Sequence, residues 1–292
     1  MRANPTEYEL VAPGTLQEAL ALHASEPGSW LPIAGGTDLM VLYAAGRLQS
    51  RKLISIAALR ELRNIEVASA EVRVGAGCTY TDLRQHPVIT KEFPLLARAA
   101  AWTGGIANQN RGTLGGNIAN ASPAGDSLPV LLAYDADLIL VSASGERRIP
   151  YRTFHTGYKK TLLAPDELIH SICMPRNLSG YKCYARKVGA RNAQAISKVF
   201  LAAMVRISNA TIKDIRLAAG SVGPVPIRLA GTERALAGQP INDSLLELAG
   251  KVMAEEIQPI DDIRSTAGYR TVVLRNLLGE FLQSLPGARF AS

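Results

Sequence analysis

Residues 112–117, Gly-Thr-Leu-Gly-Gly-Asn, are one of two glycine clusters that decide how this chain folds. The other is Ala-Gly-Gly-Thr-Asp at residues 34–38, which follows the apolar run 30–33. Glycine lets a backbone turn sharply and approach a ligand closely, because no Cβ atom stands in the way. Thr37 and Asp38 are suitable N-caps for the apolar segment 39–45, so a strand, a glycine turn and a helix are predicted here.

Both clusters have the composition of phosphate-binding loops. Glycines at a strand end, followed by a helix that presents free N–H groups, suit a phosphate, although a plain strand-to-helix turn is the more common reading of a single Gly-Gly. The second cluster adds the small donors Thr113, Asn117 and Ser122, and Asp126 beyond it can accept hydrogen bonds from ribose hydroxyls. Neither cluster fits the spacing of a Rossmann site or a P-loop. The pair therefore indicates a different dinucleotide fold.

The remaining pattern predicts a mixed chain, with strands followed by helices in its second half. A break near residues 175–180 separates the halves. Predicted helices cover residues 16–23, 39–45, 79–85, 94–102, 227–237, 243–254 and 266–285. Predicted strands cover residues 30–34, 52–56, 72–74, 136–141, 167–174, 180–188, 195–207 and 214–219, and a glycine-containing turn is predicted at 156–160.

Composition excludes several classes of protein. The chain has 292 residues, of which 47% are hydrophobic and 20% charged, so it is neither disordered nor limited to one small domain. Its apolar runs are shorter than the ~20 residues of a membrane span, and residues 1–10 lack the apolar core of a secretory signal, so a soluble cytoplasmic protein is expected. The net charge of +7 comes without a basic run interleaved with aromatics, which argues against nucleic-acid binding.

Cysteine and histidine usage argues against a metal centre in this chain. Cys78, Cys173 and Cys183 are odd in number and scattered, and the four histidines are far apart in sequence. A disulfide framework, a zinc site and an iron–sulfur cluster are therefore not expected. No catalytic residue is predicted either.

Five ordered motifs give the chain a specific resemblance. They are 34–38, 112–126, 157–169 (Gly-Tyr-Lys-Lys-Thr-Leu-Leu-Ala-Pro-Asp-Glu-Leu-Ile), 226–228 (Pro-Ile-Arg) and 261–270 (Asp-Asp-Ile-Arg through Tyr-Arg). With them the chain resembles the FAD-binding (medium) subunits of molybdenum hydroxylases, which include xanthine dehydrogenase and carbon monoxide dehydrogenase. The resemblance implies an α+β fold: a two-part FAD-binding domain of the vanillyl-alcohol-oxidase (PCMH) type over residues 1–176, then a smaller α+β domain over 177–292.

The resemblance also implies where noncovalent FAD binds. Residues 31–38 and 113–117 would hold its pyrophosphate through backbone N–H groups, and Asp126 would lie toward the adenosine end. Leu168 and Ile169 would lie near the isoalloxazine ring and Lys187 at the ring's polar edge, while Thr103 stands where relatives place an aromatic residue. The implied cofactor-binding residues are Leu31, Pro32, Ile33, Ala34, Gly35, Gly36, Thr37, Asp38, Thr103, Gly112, Thr113, Leu114, Gly115, Gly116, Asn117, Asp126, Leu168, Ile169 and Lys187.

Some of these residues have a structural alternative. Lys187 could be an ordinary surface lysine, Leu168 and Ile169 could be strand core, and Asp261 and Asp262 could begin a helix or dock a domain. At Ala107–Asn110 and at Gln194-Ala195 the sequence departs from the pattern usual in this family. The resemblance therefore does not define the surroundings of the flavin or the faces that contact partner subunits.

The implied function is electron transfer. FAD would take electrons from [2Fe–2S] clusters of a small partner subunit, supplied by a large molybdopterin subunit, and pass them to NAD⁺ or another acceptor. The implied assembly is a dimer of heterotrimers. Two other functions remain open: a self-contained FAD-dependent oxidoreductase of the same fold, and an assembly protein without flavin.

Overall fold

The structure is a computed structural model that describes residues 4–191 and 194–286. Helices and strands are mixed along these residues. The strands are β1 Glu9–Val11, β2 Trp30–Ile33, β3 Lys52–Ser55, β4 Ile65–Val67, β5 Glu71–Gly75, β6 Asp137–Ser142, β7 Gly145–Pro150, β8 His155–Gly157, β9 Lys160–Thr161, β10 Leu168–Pro175, β11 Lys182–Val188, β12 Val199–Ser208, β13 Thr211–Gly220 and β14 Ile227–Arg228. The helices are α1 Leu16–Ser25, α2 Leu39–Ala44, α3 Tyr80–Gln85, α4 Pro87–Glu92, α5 Pro94–Trp102, α6 Ile106–Gln109, α7 Leu114–Asn120, α8 Ser127–Ala133, α9 Ala230–Leu236, α10 Asp243–Glu256 and α11 Ala267–Gln283.

Three sheets and one hairpin organise the described chain. A parallel sheet has the order β1-β3-β2, an antiparallel sheet has the order β4-β5-β10-β6-β7, and a second antiparallel sheet has the order β11-β12-β13-β14. Strands β8 and β9 form the hairpin at the predicted glycine turn. The central strand of the five-stranded sheet, β10, lies between β5 and β6, although it follows helices α3–α8 in sequence.

Strands β6 and β10 of the five-stranded sheet are buried on both faces. Val72, Val74 and Ile172 point into the large core that helices α3, α4, α5, α7 and α8 share. Ile139 and Cys173 point the other way, into a smaller cluster against Leu16 and Leu20 of α1. The sheet therefore forms the middle layer of the first half of the chain.

The sheet β11–β14 is also covered on both faces. Phe200, Ala202 and Met204 of β12 join the large core, whereas Leu201 and Ala203 pack against the C-terminal helices. Alternate residues of a strand point to opposite faces, so a strand covered on both sides must be apolar throughout. This explains the unbroken apolar run 199–205.

Local signals set several element ends correctly. The side chain of Thr15 accepts from the N–H of Glu18 and begins α1, although the Glu18 carboxylate turns to the N–H of Gly14. Thr79 and Asp82 form a complete capping box at α3. Asp38 is the N-cap residue of α2 but makes no side-chain capping bond.

Three predictions of local structure were wrong. Helix α7 lies in the second glycine cluster and α8 follows shortly after it, and neither helix was predicted. The helix predicted at 227–237 begins only at Ala230, because Ile227 and Arg228 pair with β13 as a short edge strand. The strand predicted at 195–207 begins at Val199.

Within the described part of the chain, none of the helices is both long enough and apolar enough to cross a bilayer.

Candidate functional site

The two glycine clusters meet in the structure. A Cβ atom on Gly35 would lie 1.7 Å from the carbonyl oxygen of Arg111, and one on Gly112 would lie 3.3 Å from Oγ1 of Thr37. Gly36 has a φ of +74°, a conformation that side chains rarely allow. The backbones can approach this closely only because these positions lack side chains. Two segments more than 70 residues apart therefore form one loop surface.

The first glycine turn offers unpaired backbone donors. Across residues 4–191 and 194–286, the N–H groups of Gly35, Gly36, Thr37 and Asp38 have no protein acceptor. Thr37 and Asp38 are exposed, and both glycines are half-buried. Successive free N–H groups in a turn form a concave site for an anion. This turn can therefore bind a phosphate.

The second cluster uses its backbone donors differently. The N–H groups of Leu114 and Gly115 donate to the carbonyls of Cys78 and Ala76 at 3.0 and 2.8 Å. Those of Gly116 and Asn117 donate to Oγ1 and the carbonyl of Thr113, both at 3.0 Å. In this structure the N–H groups of residues 114–117, part of the predicted pyrophosphate loop 113–117, are therefore occupied by protein acceptors. The side chain of Thr113 is occupied as the N-cap of α7.

Gly115 and Asn117 of the second cluster differ in what surrounds them. Gly115 is buried and lies against β5, where an added Cβ would come within 2.5 Å of Cβ of Ala76. The absence of a side chain at this position therefore permits close packing of α7 against Ala76. Asn117 is held by Oγ of Ser127, which donates to Oδ1 at 2.7 Å, and its amide donors have no protein acceptor in the part of the chain that is described. The side chain of Asn117 remains available to a ligand.

Asp126 and Lys187 form a buried ion pair. Nζ of Lys187 donates to Oδ2 of Asp126 at 2.5 Å and to the carbonyl oxygen of Trp102 at 3.0 Å. Oγ of Ser197 donates to the other carboxylate oxygen at 2.5 Å. Burial raises the pKa of Asp126, and the nearby Lys187 ammonium and Ser197 hydroxyl partly oppose that rise. The third proton of Lys187 has no acceptor among the described residues.

This contact corrects one expectation about the cofactor. Asp126 was expected toward the adenosine end of FAD and Lys187 at the polar edge of its ring. Two side chains 2.5 Å apart cannot reach opposite ends of an extended dinucleotide. The two roles therefore cannot both hold, and any ligand that meets one residue lies close to the other.

A cavity of about 450 Å³ lies beside the ion pair. It is lined by Trp102 and by the segment 186–191, which includes Lys187. Thr103 follows Trp102, and its hydroxyl donates to the carbonyl of Ala99 at 2.9 Å. Trp102, Lys187 and the neighbouring backbone segment therefore form the wall of the cavity.

Leu168 and Ile169 are both buried, at 2% and 6% exposure, but they belong to different layers. Leu168 packs in the cluster below the five-stranded sheet, and Ile169 packs in the large core with Leu114 and Ile118 of α7. Their side chains point to opposite faces, so they cannot both be presented to one ring. Ile169 is the one on the side of the second glycine cluster.

Sequence reasoning missed Ser197 and the carbonyl of Trp102. Ser197 is 2% exposed, and it is a lone small polar residue next to the apolar run 199–205. A buried hydroxyl there needs a partner, which is the only signal that the sequence carried. Its partner was not predictable, since Asp126 lies 71 residues away.

Comparison with known proteins identifies the two halves. The family model of the FAD binding domain in molybdopterin dehydrogenase matches residues 6–177, and that of the CO dehydrogenase flavoprotein C-terminal domain matches residues 184–285. The chain is 31% identical over 265 residues to the xanthine dehydrogenase FAD-binding subunit of Escherichia coli O157:H7, covering 90% of each protein. It is 32% identical over 274 residues to the glyceraldehyde dehydrogenase medium chain of Sulfolobus acidocaldarius, covering 94% of this chain and 96% of the relative.

The structure agrees with the sequence matches. A chain of carbon monoxide dehydrogenase from Hydrogenophaga pseudoflava superposes with a TM-score of 0.91 at 28% identity, covering 96% of both chains. The predicted fold class is therefore confirmed: an α+β chain with an FAD-binding domain followed by a C-terminal domain.

Proposed function

The chain belongs to the FAD-binding medium subunits of molybdenum hydroxylases, and from this premise we propose that it takes electrons from the [2Fe–2S] clusters of a partner subunit and passes them through FAD to NAD⁺ or another acceptor. It is thus a subunit of an oxidoreductase. The electron donor, the acceptor and the residues at the FAD site are the parts that we propose.

The observation that carries the proposal is the free N–H groups of residues 35–38 at the junction of the two glycine clusters. A pyrophosphate needs several donors converging on one place, and this turn supplies them without any rearrangement of secondary structure. Asn117 adds a side-chain amide in the second cluster. We therefore assign the pyrophosphate to the turn 35–38, with residues 112–117 as its supporting wall.

The cavity beside Lys187 is the place we propose for the flavin ring. Lys187 keeps one donor for a ligand, and its ammonium is held in place by Asp126 and the carbonyl of Trp102. An ammonium at a fixed position favours any bound group that gains negative charge. Ile169 and Thr103 stay proposed neighbours of the ring, while Leu168 serves the opposite layer.

FAD, when bound, supplies redox chemistry in one-electron and two-electron steps, and the protein contributes binding, orientation and electrostatics. The residues of this chain then have two tasks. The turn 35–38 binds the phosphates, and Lys187 with Asp126 sets the local charge beside the ring. No side chain of the chain has to act as an acid or a base on a substrate.

We propose two partner subunits, a large one with molybdopterin and a small one with the [2Fe–2S] clusters, in a dimer of heterotrimers. This rests on the family assignment and on the implied electron route. The division at residues 176 and 177 and a location in the cytoplasm likewise stay proposals.

The first test is the visible spectrum of the purified chain. We expect the absorption bands of a flavin, and release of noncovalent FAD on denaturation. FAD release would leave the partners and the acceptor as the next question, to be addressed by copurification with molybdopterin and cysteine-rich subunits. A colourless chain that also fails to bind added FAD would overturn the proposal and favour an assembly role.

A further inference from the structure

Arg270 is an almost fully buried arginine that bonds two separate segments of the chain. It is 4% exposed and lies in the first turn of α11. Its Nη1 donates to the carbonyls of Lys198 and Ser221 at 2.8 and 2.9 Å, and its Nη2 donates to Oδ1 of Asp262 at 2.8 Å. Oδ1 of Asp262 also accepts from the N–H of Arg264 at 2.9 Å. The guanidinium is thus anchored on one side and holds two chain segments on the other.

Those two segments lead to the proposed cofactor site. Oγ of Ser221 donates to the carbonyl of Ser197 at 2.9 Å, and its N–H donates to the carbonyl of Pro123 at 2.8 Å, three residues before Asp126. Ser221 has a φ of 65°, a conformation that a non-glycine residue keeps only when its surroundings hold it there. Ser197 then donates to Asp126. A continuous series of hydrogen bonds therefore connects Asp262 with Asp126.

Burying an arginine is costly unless every charge is compensated, and apolar packing would stabilise the domain equally well. The large C-terminal core beside Arg270 already supplies apolar packing. What Arg270 adds is position: a planar group that bonds two carbonyls of different segments fixes the distance between them. Both segments end at residues that touch Asp126 or its loop.

Asp126 needs this support because Lys187 alone binds only one of its oxygens. With Oδ1 held by Ser197 and Oδ2 by Lys187, the carboxylate plane has a single orientation. Lys187 in turn lines the cavity. If the carboxylate could rotate, the Lys187 ammonium would not be held at one place on the cavity wall.

We propose that Ser197 and Arg270 are positioning residues of the FAD site. Arg270, anchored by Asp262, fixes the backbone that carries Ser197, and Ser197 orients Asp126, which holds the Lys187 ammonium beside the ring. The proposal rests on the function proposed above and extends it to two residues that are not part of the cavity lining.

The test compares Ser197→Ala with Thr232→Val in the purified chain. Thr232 is also fully buried, and its hydroxyl donates to the carboxylate of Glu256 at 2.6 Å. Both variants therefore lose the same kind of bond, but only Ser197 leads to the cavity. The readouts are the Kd of FAD by fluorescence titration, the midpoint potential of bound FAD, and the melting temperature of the apoprotein.

We expect Ser197→Ala to weaken FAD binding roughly tenfold, the usual loss for one hydrogen bond to a charged group. The midpoint potential should also become more negative, because a mobile ammonium stabilises the more negatively charged form of the cofactor less. Thr232→Val should lower the melting temperature and leave both FAD readouts unchanged. Ser197→Cys, which keeps a weak donor, should fall between Ser197→Ala and the wild-type chain, and it replaces the alanine variant if that one fails to fold.

Arg270→Lys tests the second step, since lysine keeps the charge but loses the planar fork. It should weaken FAD binding in the wild-type background and add little in the Ser197→Ala background, because both changes release the same carboxylate. Equal effects in both backgrounds would remove Arg270 from the proposal. Wild-type FAD affinity and potential in Ser197→Ala would overturn it entirely, whereas failure of the wild-type chain to bind FAD would instead overturn the proposed function.

Discussion

Gly35→Ala is the sharpest test of how the FAD site is built. The added Cβ would stand 1.7 Å from the carbonyl oxygen of Arg111, and real Cβ atoms essentially never come within 3.0 Å of another atom. The two glycine clusters must therefore separate by at least 1.3 Å, the difference between those distances. Both sides of the contact are backbone, so no side-chain rotation can relieve it.

The expected cost has two parts. Overpacking of this kind lowers the free energy of unfolding by about 1–3 kcal/mol. The shift also misaligns the free N–H groups of residues 35–38, and a hydrogen bond to a charged group is worth about 1.5–3 kcal/mol. Misalignment of two such donors weakens FAD binding by a factor on the order of 100 or more.

The assay is fluorescence titration of the apoprotein with FAD, alongside urea unfolding of the same preparation. Gly279→Ala is the matched control, because a Cβ there meets no atom within 4 Å and lies inside helix α11. That variant should bind FAD normally and gain about 0.5–1 kcal/mol of stability. A folded Gly35→Ala protein with wild-type FAD affinity would refute the assignment of the pyrophosphate to this turn.

Three further predictions concern buried groups. Lys187→Met should lower the free energy of unfolding by about 3–5 kcal/mol, because it leaves the Asp126 carboxylate buried without its cation. Adding Asp126→Asn should restore most of that loss in urea unfolding. Equal losses in the single and double variants would contradict the ion-pair explanation. Burial lowers the pKa of His23, so the unfolded chain gains a proton near pH 6.5 before the folded chain does, and stability should fall as pH drops below that value by up to about 1.4 kcal/mol per pH unit. His23→Leu should flatten this slope in urea midpoints measured from pH 8 to pH 5, and an unchanged slope would exclude His23 as a cause. Gly115→Ala places a Cβ 2.5 Å from that of Ala76 and should lower the melting temperature of the apoprotein, corresponding to about 1–3 kcal/mol, whereas an unchanged value would mean that α7 can move away from β5 at no cost.

Local pattern predicted elements well where one short segment carried its own signals. The cap at Thr79 and the apolar periodicity of α5 were sufficient for those helices. Pattern failed at α7 and α8, because glycines and a proline lower intrinsic helix propensity and the compensating burial is tertiary. It also failed at Ile227, where pairing with β13 outweighed a helical periodicity.

The candidate site shows the same division. Its glycine clusters, Asp126 and Lys187 were all found from motifs, but the contacts that they make within the folded chain were not. Backbone N–H groups of residues 114–117 bind protein carbonyls and Thr113, which no motif states. Ser197 was missed because a single serine in a chain of this composition has no distinctive spacing.

The sequence by itself determined the family, the mixed α and β class, and the two glycine clusters as the places to look for a phosphate site. It could do so because turns, caps and motif residues depend on chemistry within a few positions of each other. Only the tertiary structure decided that Gly35 meets Arg111, that Asp126 pairs with Lys187 over 61 residues, and which N–H groups remain free. A hydrogen bond needs both of its atoms in one place, and packing of distant segments decides which atoms those are.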